Sequence, residues 1–299
     1  MKTRVWTSLA FALSAAMGLY AGCGSDEGSA FPDGDASARS DAGGGASSSG
    51  SSGTSGITSG GVPGEGGAGT QKPTPVDVVF TADNAYKFGW GTVDRLDQVE
   101  GRPFSTNAGD IFNCGTGPEA YTVPADAAPL DAYLYVVAWD DRAVTQGALG
   151  QFKRRETEAV LYTGDPAWEV CATGLPYPAA DSTAQGPDTA TINAEIERCT
   201  AGTGDKEKTS GGWVSAAGAV TPGAVGALVV GEDNSAADGD FPITCLPNDA
   251  GQPGIDSAAK WMWYSPDGAN AFRNNETNRT RAFLIFRLTA RALPPPVIN

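Results

Sequence analysis

The chain has 299 residues with 20 Lys and Arg, 35 Asp and Glu and no histidine, for a formal charge of −15. Without histidine there is no Ser-His-Asp or Cys-His nucleophile, no histidine-bearing catalytic zinc and no imidazole switch near neutral pH. So acidic a chain repels nucleic acid, whose binding needs clustered Lys and Arg, and it repels anionic lipid headgroups too, leaving neutral ligands and divalent cations as compatible partners.

Lys2 and Arg4 give a short basic start, and an apolar run follows from Val5 to about Tyr20, ending in Leu19-Tyr20-Ala21-Gly22-Cys23. A basic start, an apolar stretch of that length and small residues before a cut predict a secretory signal over residues 1–22. Its removal takes Lys2 and Arg4 and no acid, so −15 becomes −17. No other segment approaches the ~18 uninterrupted apolar residues of a membrane-crossing helix. The small residues directly before Cys23 resemble the lipobox of bacterial lipoproteins, with Tyr20 where that family usually has leucine. The resemblance implies lipidation of Cys23 and a membrane partner reached through acyl chains. Gly24-Ser25, with no Asp at position 24, resembles the sorting pattern for the outer membrane of the cell envelope.

Residues 23–75 are low-complexity, with Gly43-Gly44-Gly45-Ala46-Ser47-Ser48-Ser49-Gly50 at their centre. Such a stretch buries too little apolar surface to offset chain entropy, and predicts a disordered linker with an r.m.s. reach of about 40 Å. Pro73-Thr74-Pro75 marks where order is expected to begin. Residues 76–299, about 225 of them, are enough for one large β domain.

From Val76 onward the pattern is strand-like. Val76-Asp77-Val78-Val79-Phe80 is short and β-branched, and Tyr86, Phe88 and Trp90 share one face of the next run. Residues 133–139, Tyr-Leu-Tyr-Val-Val-Ala-Trp, are apolar on both faces, which predicts a strand buried on two sides. Further runs at 159–162, 168–171, 227–230, 261–264 and 281–288 are separated by Gly, Pro, Asp and Asn. Many short strands with turn residues between them predict an all-β sandwich. One helix interrupts them: Ile192, Ile196 and Cys199 recur at i, i+4 and i+7, with Asp188 or Thr189 as cap and Gly202 near the stop. Cys114, Cys171, Cys199 and Cys245 suit two disulfides in an exported chain. Three pairings can be drawn. Cys171–Cys199 with Cys114–Cys245 is the expected one, and it would pin the helix to the sheet edge.

Phe80-Thr81-Ala82-Asp83-Asn84-Ala85-Tyr86-Lys87-Phe88-Gly89-Trp90-Gly91 resembles the opening Ala-Asp-Asn-x-Tyr strand pair of galactose-binding-like jelly-roll modules. The Pro/Asp-rich approach to Ala138-Trp139-Asp140-Asp141 and the closing run Phe283-Leu284-Ile285-Phe286-Arg287-Leu288 are similar to later strands of the same modules. The likeness covers about half of the domain. It implies a single β-sandwich, and a function among sugar binding, adhesion and structural roles. The helix-bearing insertion at 177–212 departs from a minimal module.

Several residues could carry chemistry. Asp83, Asn84, Asp140 and Asp141 stand at strand ends as candidate ligand contacts, although Asx side chains at a turn commonly cap it. The domain tryptophans are Trp90, Trp139, Trp168, Trp213, Trp261 and Trp263. Most are expected in the core, but Trp213, in a glycine-rich loop, is the candidate for an exposed sugar-stacking face. Asp233, Asp238 and Asp240 could hold a structural Ca²⁺ through a flexible acidic loop. Facing carboxylates among Asp140-Asp141, Glu232-Asp233 and Asp238-Gly239-Asp240 could instead hydrolyse a glycosidic bond. The expectation is a lipid-anchored, non-catalytic surface module that binds carbohydrate or a surface protein. A glycan-acting hydrolase and a purely structural envelope protein are the rivals.

Overall fold

The computed structural model describes residues 73–102, 104–140, 144–176, 186–236, 239–247, 251–273 and 282–295. The signal segment, Cys23 and nearly all of the linker lie outside the described residues. In chain order the elements are β1 (Val76–Asp83), β2 (Ala85–Thr92), β3 (Arg95–Arg102), α1 (Ala108–Phe112), β4 (Glu119–Val123), β5 (Tyr133–Trp139), β6 (Gly147–Arg154) and β7 (Leu161–Tyr162). There follow β8 (Glu169–Pro176), α2 (Thr189–Ala201), β9 (Val214–Ser215), β10 (Gly218–Ala219), β11 (Ala227–Asp233), β12 (Lys260–Ser265) and β13 (Ala282–Thr289). They build a β-sandwich of two antiparallel sheets. The first has the order β11-β12-β6-β1-β4, with β7 on β6, and the second β10-β9-β8-β13-β5-β2-β3. This is consistent with a jelly-roll.

Alternation along each strand explains the core. Phe80 and Phe152 of the first sheet meet Phe88, Leu134 and Phe286 of the second in one buried cluster. Phe88 and Phe152 stand with ring centroids 6.4 Å apart, and Trp263 and Phe286 5.8 Å apart. On β5, Leu134, Val136 and Ala138 point into this core. Tyr135, Val137 and Trp139 point outward into a second buried cluster with Ile192, Ile196 and Cys199 of α2. The two-sided apolar pattern of residues 133–139 therefore has a physical cause: the helix covers the outer face of the second sheet.

Helix α2 starts where its cap allows, with the Asp188 carboxylate accepting from Thr191 N at 2.7 Å, and ends at Gly202 with φ of 68°. Both expected disulfides are present, Cys171–Cys199 and Cys114–Cys245. The expectation that Cys199 ties the helix to the sheet edge needs correction. Cys171 lies on β8, an interior strand, and α2 crosses the outer face from there to the edge strand β3.

The registers define two ends. Val76 pairs with Val123 and Arg154, Gly91 with Tyr133, and Tyr133 with Thr289. At the other end Asp83 pairs with Gly147, Ala85 with Trp139 and Leu284 with Ala138. Arg154, 2% exposed, ties the Val76 end together: it donates to the carbonyls of Thr74, Ala128 and Ala290 at 3.3, 3.2 and 2.9 Å.

Candidate functional site: a cleft at the Val76 end of the sandwich

A cleft of about 670 Å³ opens at the Val76 end. One wall is the β2–β3 hairpin, carrying Trp90, Thr92, Asp97 and Gln98. The hairpin can close this tightly because Gly91 has no side chain; a Cβ there would stand 2.1 Å from the Arg95 carbonyl oxygen. The opposite wall comes from the 3-10 turn Ala125–Ala127 and the approach to β5, with Asp126, Pro129, Asp131 and Tyr133. Thr289 and Arg291 close the third side, where β13 runs into a second 3-10 turn.

Its chemistry is mixed in a definite way. Trp90, Pro129 and Tyr133 supply apolar and aromatic surface, and Val93, more than a third accessible, adds to it. Gln98, Asp126, Asp131 and Arg291 supply hydrogen-bonding groups from three separate elements. Asp97 is ion-paired with Arg95 at 2.7 Å. Arg291 is the one cation lining the cleft among the described residues, against three carboxylates, so the lining is net acidic. Of the domain tryptophans, Trp90 is 8% exposed while Trp139, Trp168, Trp213, Trp261 and Trp263 are at most 1% exposed. Trp90 is therefore the tryptophan that presents any surface here.

The residues singled out from sequence fall elsewhere. Asp83, Asn84 and Asp140 do come together, at the Asp83 end, because Asn84 N donates to the Trp139 carbonyl at 3.2 Å. They are 5%, 4% and 1% exposed. Asp83 accepts from Thr145 Oγ1 at 2.8 Å, and Asn84 Nδ2 donates to the Ser105 carbonyl at 3.1 Å. Asp83 and Asn84 brace neighbouring strands and loops from inside. Asp141 lies outside the described residues.

Trp213 corrects the expectation of an exposed aromatic. It is 1% exposed, with its ring 3.9 Å from the Arg287 guanidinium carbon and its Nε1 donating to Thr200 Oγ1 at 3.1 Å. The glycine-rich loop does not hold it in solvent; it delivers the indole between α2 and the outer face of the second sheet.

The acidic loop is engaged in its own structure. Asp233 accepts from Ser235 N at 3.0 Å, Asp240 is ion-paired with Arg273, and Asp238 lies outside the described residues. Among the described residues no three His, Cys, Asp or Glu side chains stand together as a metal site. Glu232 and Asp240 line one smaller cavity of about 350 Å³. Glu232, however, accepts from the backbone N–H of both Asp240 and Phe241, at 2.8 and 2.7 Å. Asp240 is at the same time paired with Arg273, so both carboxylates are engaged in contacts within the loop and its neighbours.

No local signal marks the cleft in the sequence, apart from the aromatic alternation that includes Trp90. Its residues come from strand ends and turns as far apart in sequence as Trp90 and Arg291. No family model matches the chain, and neither does a curated protein or a solved structure.

Proposed function

We propose that this chain is an exported lipoprotein, anchored through Cys23, whose β-sandwich binds a neutral or amino sugar without catalysis in the cleft at the Val76 end. The observation that carries this reading is the cleft itself. Its volume of about 670 Å³ lies within the usual range for small-molecule sites, and aromatic surface and hydrogen-bonding groups share its walls. A pyranose ring has an apolar face that packs on Trp90 or Tyr133, and hydroxyls that donate to Asp126, Asp131 and the side-chain amide oxygen of Gln98. The acidic lining disfavours uronic and sialic acids through like-charge repulsion. Two disulfides fit an oxidising extracellular or periplasmic compartment. Among the described residues no helix is long and apolar enough to cross a membrane; the proposed anchor is the lipid on Cys23.

The test is a glycan array probed with the full chain, with and without EDTA, because the run from Asp233 to Asp240 is the candidate for structural Ca²⁺. Neutral or amino glycans should bind, and Gln98→Ala with Asp131→Ala should weaken binding about tenfold or more without lowering stability. Absence of binding in both conditions would overturn the sugar reading and leave the structural envelope role ahead. Turnover of a bound glycan would instead favour the hydrolase class. For the anchor, Cys23→Ser should release a folded domain from membranes; palmitate labelling that persists in that variant would sink the lipoprotein reading.

A further inference from the structure

Four side chains meet where β4 of the first sheet comes against β2 and β3 of the second. The Tyr86 hydroxyl lies 3.1 Å from the Phe80 carbonyl oxygen and 2.8 Å from the Tyr121 hydroxyl, and also contacts Glu119 Oε2. Glu119 Oε1 stands 3.7 Å from Arg102 Nε, with no hydrogen bond between them. The other nitrogens of Arg102 donate to neutral oxygens: Nη1 to the Asp110 carbonyl and the Thr81 hydroxyl, Nη2 to the carbonyls of Ala82 and Asn84.

Three contacts converge on the Tyr86 oxygen, and each needs one hydrogen. The Phe80 carbonyl can only accept, so it requires the Tyr86 hydrogen. Tyr121 can supply a second by donating to Tyr86. The third can come only from Glu119. We propose that Glu119 is a proton-dependent latch between the two sheets: protonated, it donates to Tyr86 and all three contacts form; ionised, it takes the Tyr86 hydrogen and the Phe80 contact is lost.

The surroundings favour the protonated form. Burial pushes the Glu119 carboxyl above its ordinary range, against the opposing pull of the Tyr86 hydrogen bond and the Arg102 charge. Burial also raises Tyr86 and Tyr121, so neither phenol gives up its hydrogen first. Glu100 on β3 adds a like charge near Tyr121, and the Asp110 carboxylate on α1 is held by Ser105 Oγ at 3.0 Å. Arg102 does not require the Glu119 charge. Arg154 in the same chain is a buried guanidinium whose hydrogen bonds all go to carbonyls. The Glu119 side chain is 30% exposed, so its proton can exchange with solvent without unfolding.

The sign follows from linkage. An acid whose folded value is raised contributes its full stabilisation below the ordinary carboxylate range and loses it as pH rises through the folded value. The test is urea denaturation of the full chain from about pH 4 to about pH 8, comparing the wild type with Glu119→Gln. The carboxamide keeps a donor for Tyr86 and cannot ionise. The two midpoints should coincide at the acid end and separate as pH rises, with the variant higher at the alkaline end. A constant gap, or a variant that is less stable at the alkaline end, would overturn the latch. A ¹³C titration of the Glu119 carboxyl in the unmodified chain reads the same point even if the variant does not fold. Its midpoint should lie above the ordinary glutamate value, and one at or below that value refutes the proposal.

Discussion

The side-chain amide of Asn193 pairs with Leu96 as a second strand would. Leu96 N donates to Asn193 Oδ1 at 2.7 Å, and Asn193 Nδ2 donates to the Leu96 carbonyl at 3.1 Å. Leu96 lies on β3, the edge of the seven-stranded sheet, and Asn193 on α2, the helix that covers that sheet. An open edge is a template for pairing with another chain, and here a helix closes it at its most buried residue, Leu96 being 1% exposed.

Asn193→Leu should therefore leave both polar groups of Leu96 without partners. A cost of about 1–3 kcal/mol is expected, read as a lower denaturation midpoint, together with more self-association by light scattering. Asn193→Asp keeps the acceptor for Leu96 N and loses the donor, so it should fall between. A leucine variant that is as stable and as monodisperse as the parent would contradict this role.

Trp213 separates a binding role from a packing role. Its indole is fully covered and its face is taken by Arg287, which also bonds Glu169 Oε2 at 2.6 Å. Trp213→Ala should cost about 3–5 kcal/mol in a denaturant titration, the range for removing a buried aromatic. A variant that keeps its stability and loses only glycan binding would return Trp213 to the ligand site.

Arg154 holds three carbonyls from the start of the described domain, the approach to β5 and the segment after β13. Replacing it by alanine leaves the Thr74 and Ala128 carbonyls without that donor, removes one of the two donors to the Ala290 carbonyl, which keeps Leu293 N at 3.3 Å, and empties a buried volume. Arg154→Ala should cost about 3 kcal/mol or more and expose the chain near Thr74 to limited proteolysis. Because the guanidinium also orders Ala128 and Ala290, next to cleft residues Ala127 and Arg291, glycan binding should weaken in the same variant. Unchanged protease resistance would argue against the clamp.

The disulfides should differ in weight. Cys114–Cys245 spans 131 positions and Cys171–Cys199 spans 28. Loop-closure entropy puts their contributions at ~5 and ~3.6 kcal/mol as upper figures. Paired alanine substitutions followed by urea titration should rank them in that order. Only loss of the shorter one should also sensitise α2 to protease, since Cys199 is the covalent link from that helix to β8. Equal effects on α2 from both would contradict this assignment.

Local pattern along the chain is enough for the elements whose periodicity is strong. Residues 133–139 announce a strand buried on two faces, and Ile192, Ile196 and Cys199 a one-sided helix, because side-chain periodicity follows directly from backbone geometry. The punctuated apolar runs led to a sandwich for the same reason. Interior strand β6 carries a weak strand pattern because it is glycine-bearing: the Phe80 ring occupies the place of a side chain at Gly150, where a Cβ would stand 2.3 Å from it. The apolar volume belongs to the neighbour, so the strand itself reads as polar and weak. Edge strand β3 has no apolar alternation to mark it because it is largely exposed and charged.

Which groups share a place is set by packing between distant strands. Asp83, Asn84 and Asp140 meet through the β2–β5 ladder, yet the same packing that gathers them also buries them. Trp213 is polar in its local context and buried in its spatial one, because α2 and Arg287 arrive from distant sequence. The cleft at the Val76 end is assembled from Trp90, Asp126, Tyr133 and Arg291, and the latch from Tyr86, Arg102, Glu119 and Tyr121. Each is a product of strand order, which sets side by side residues that no spacing along the chain relates.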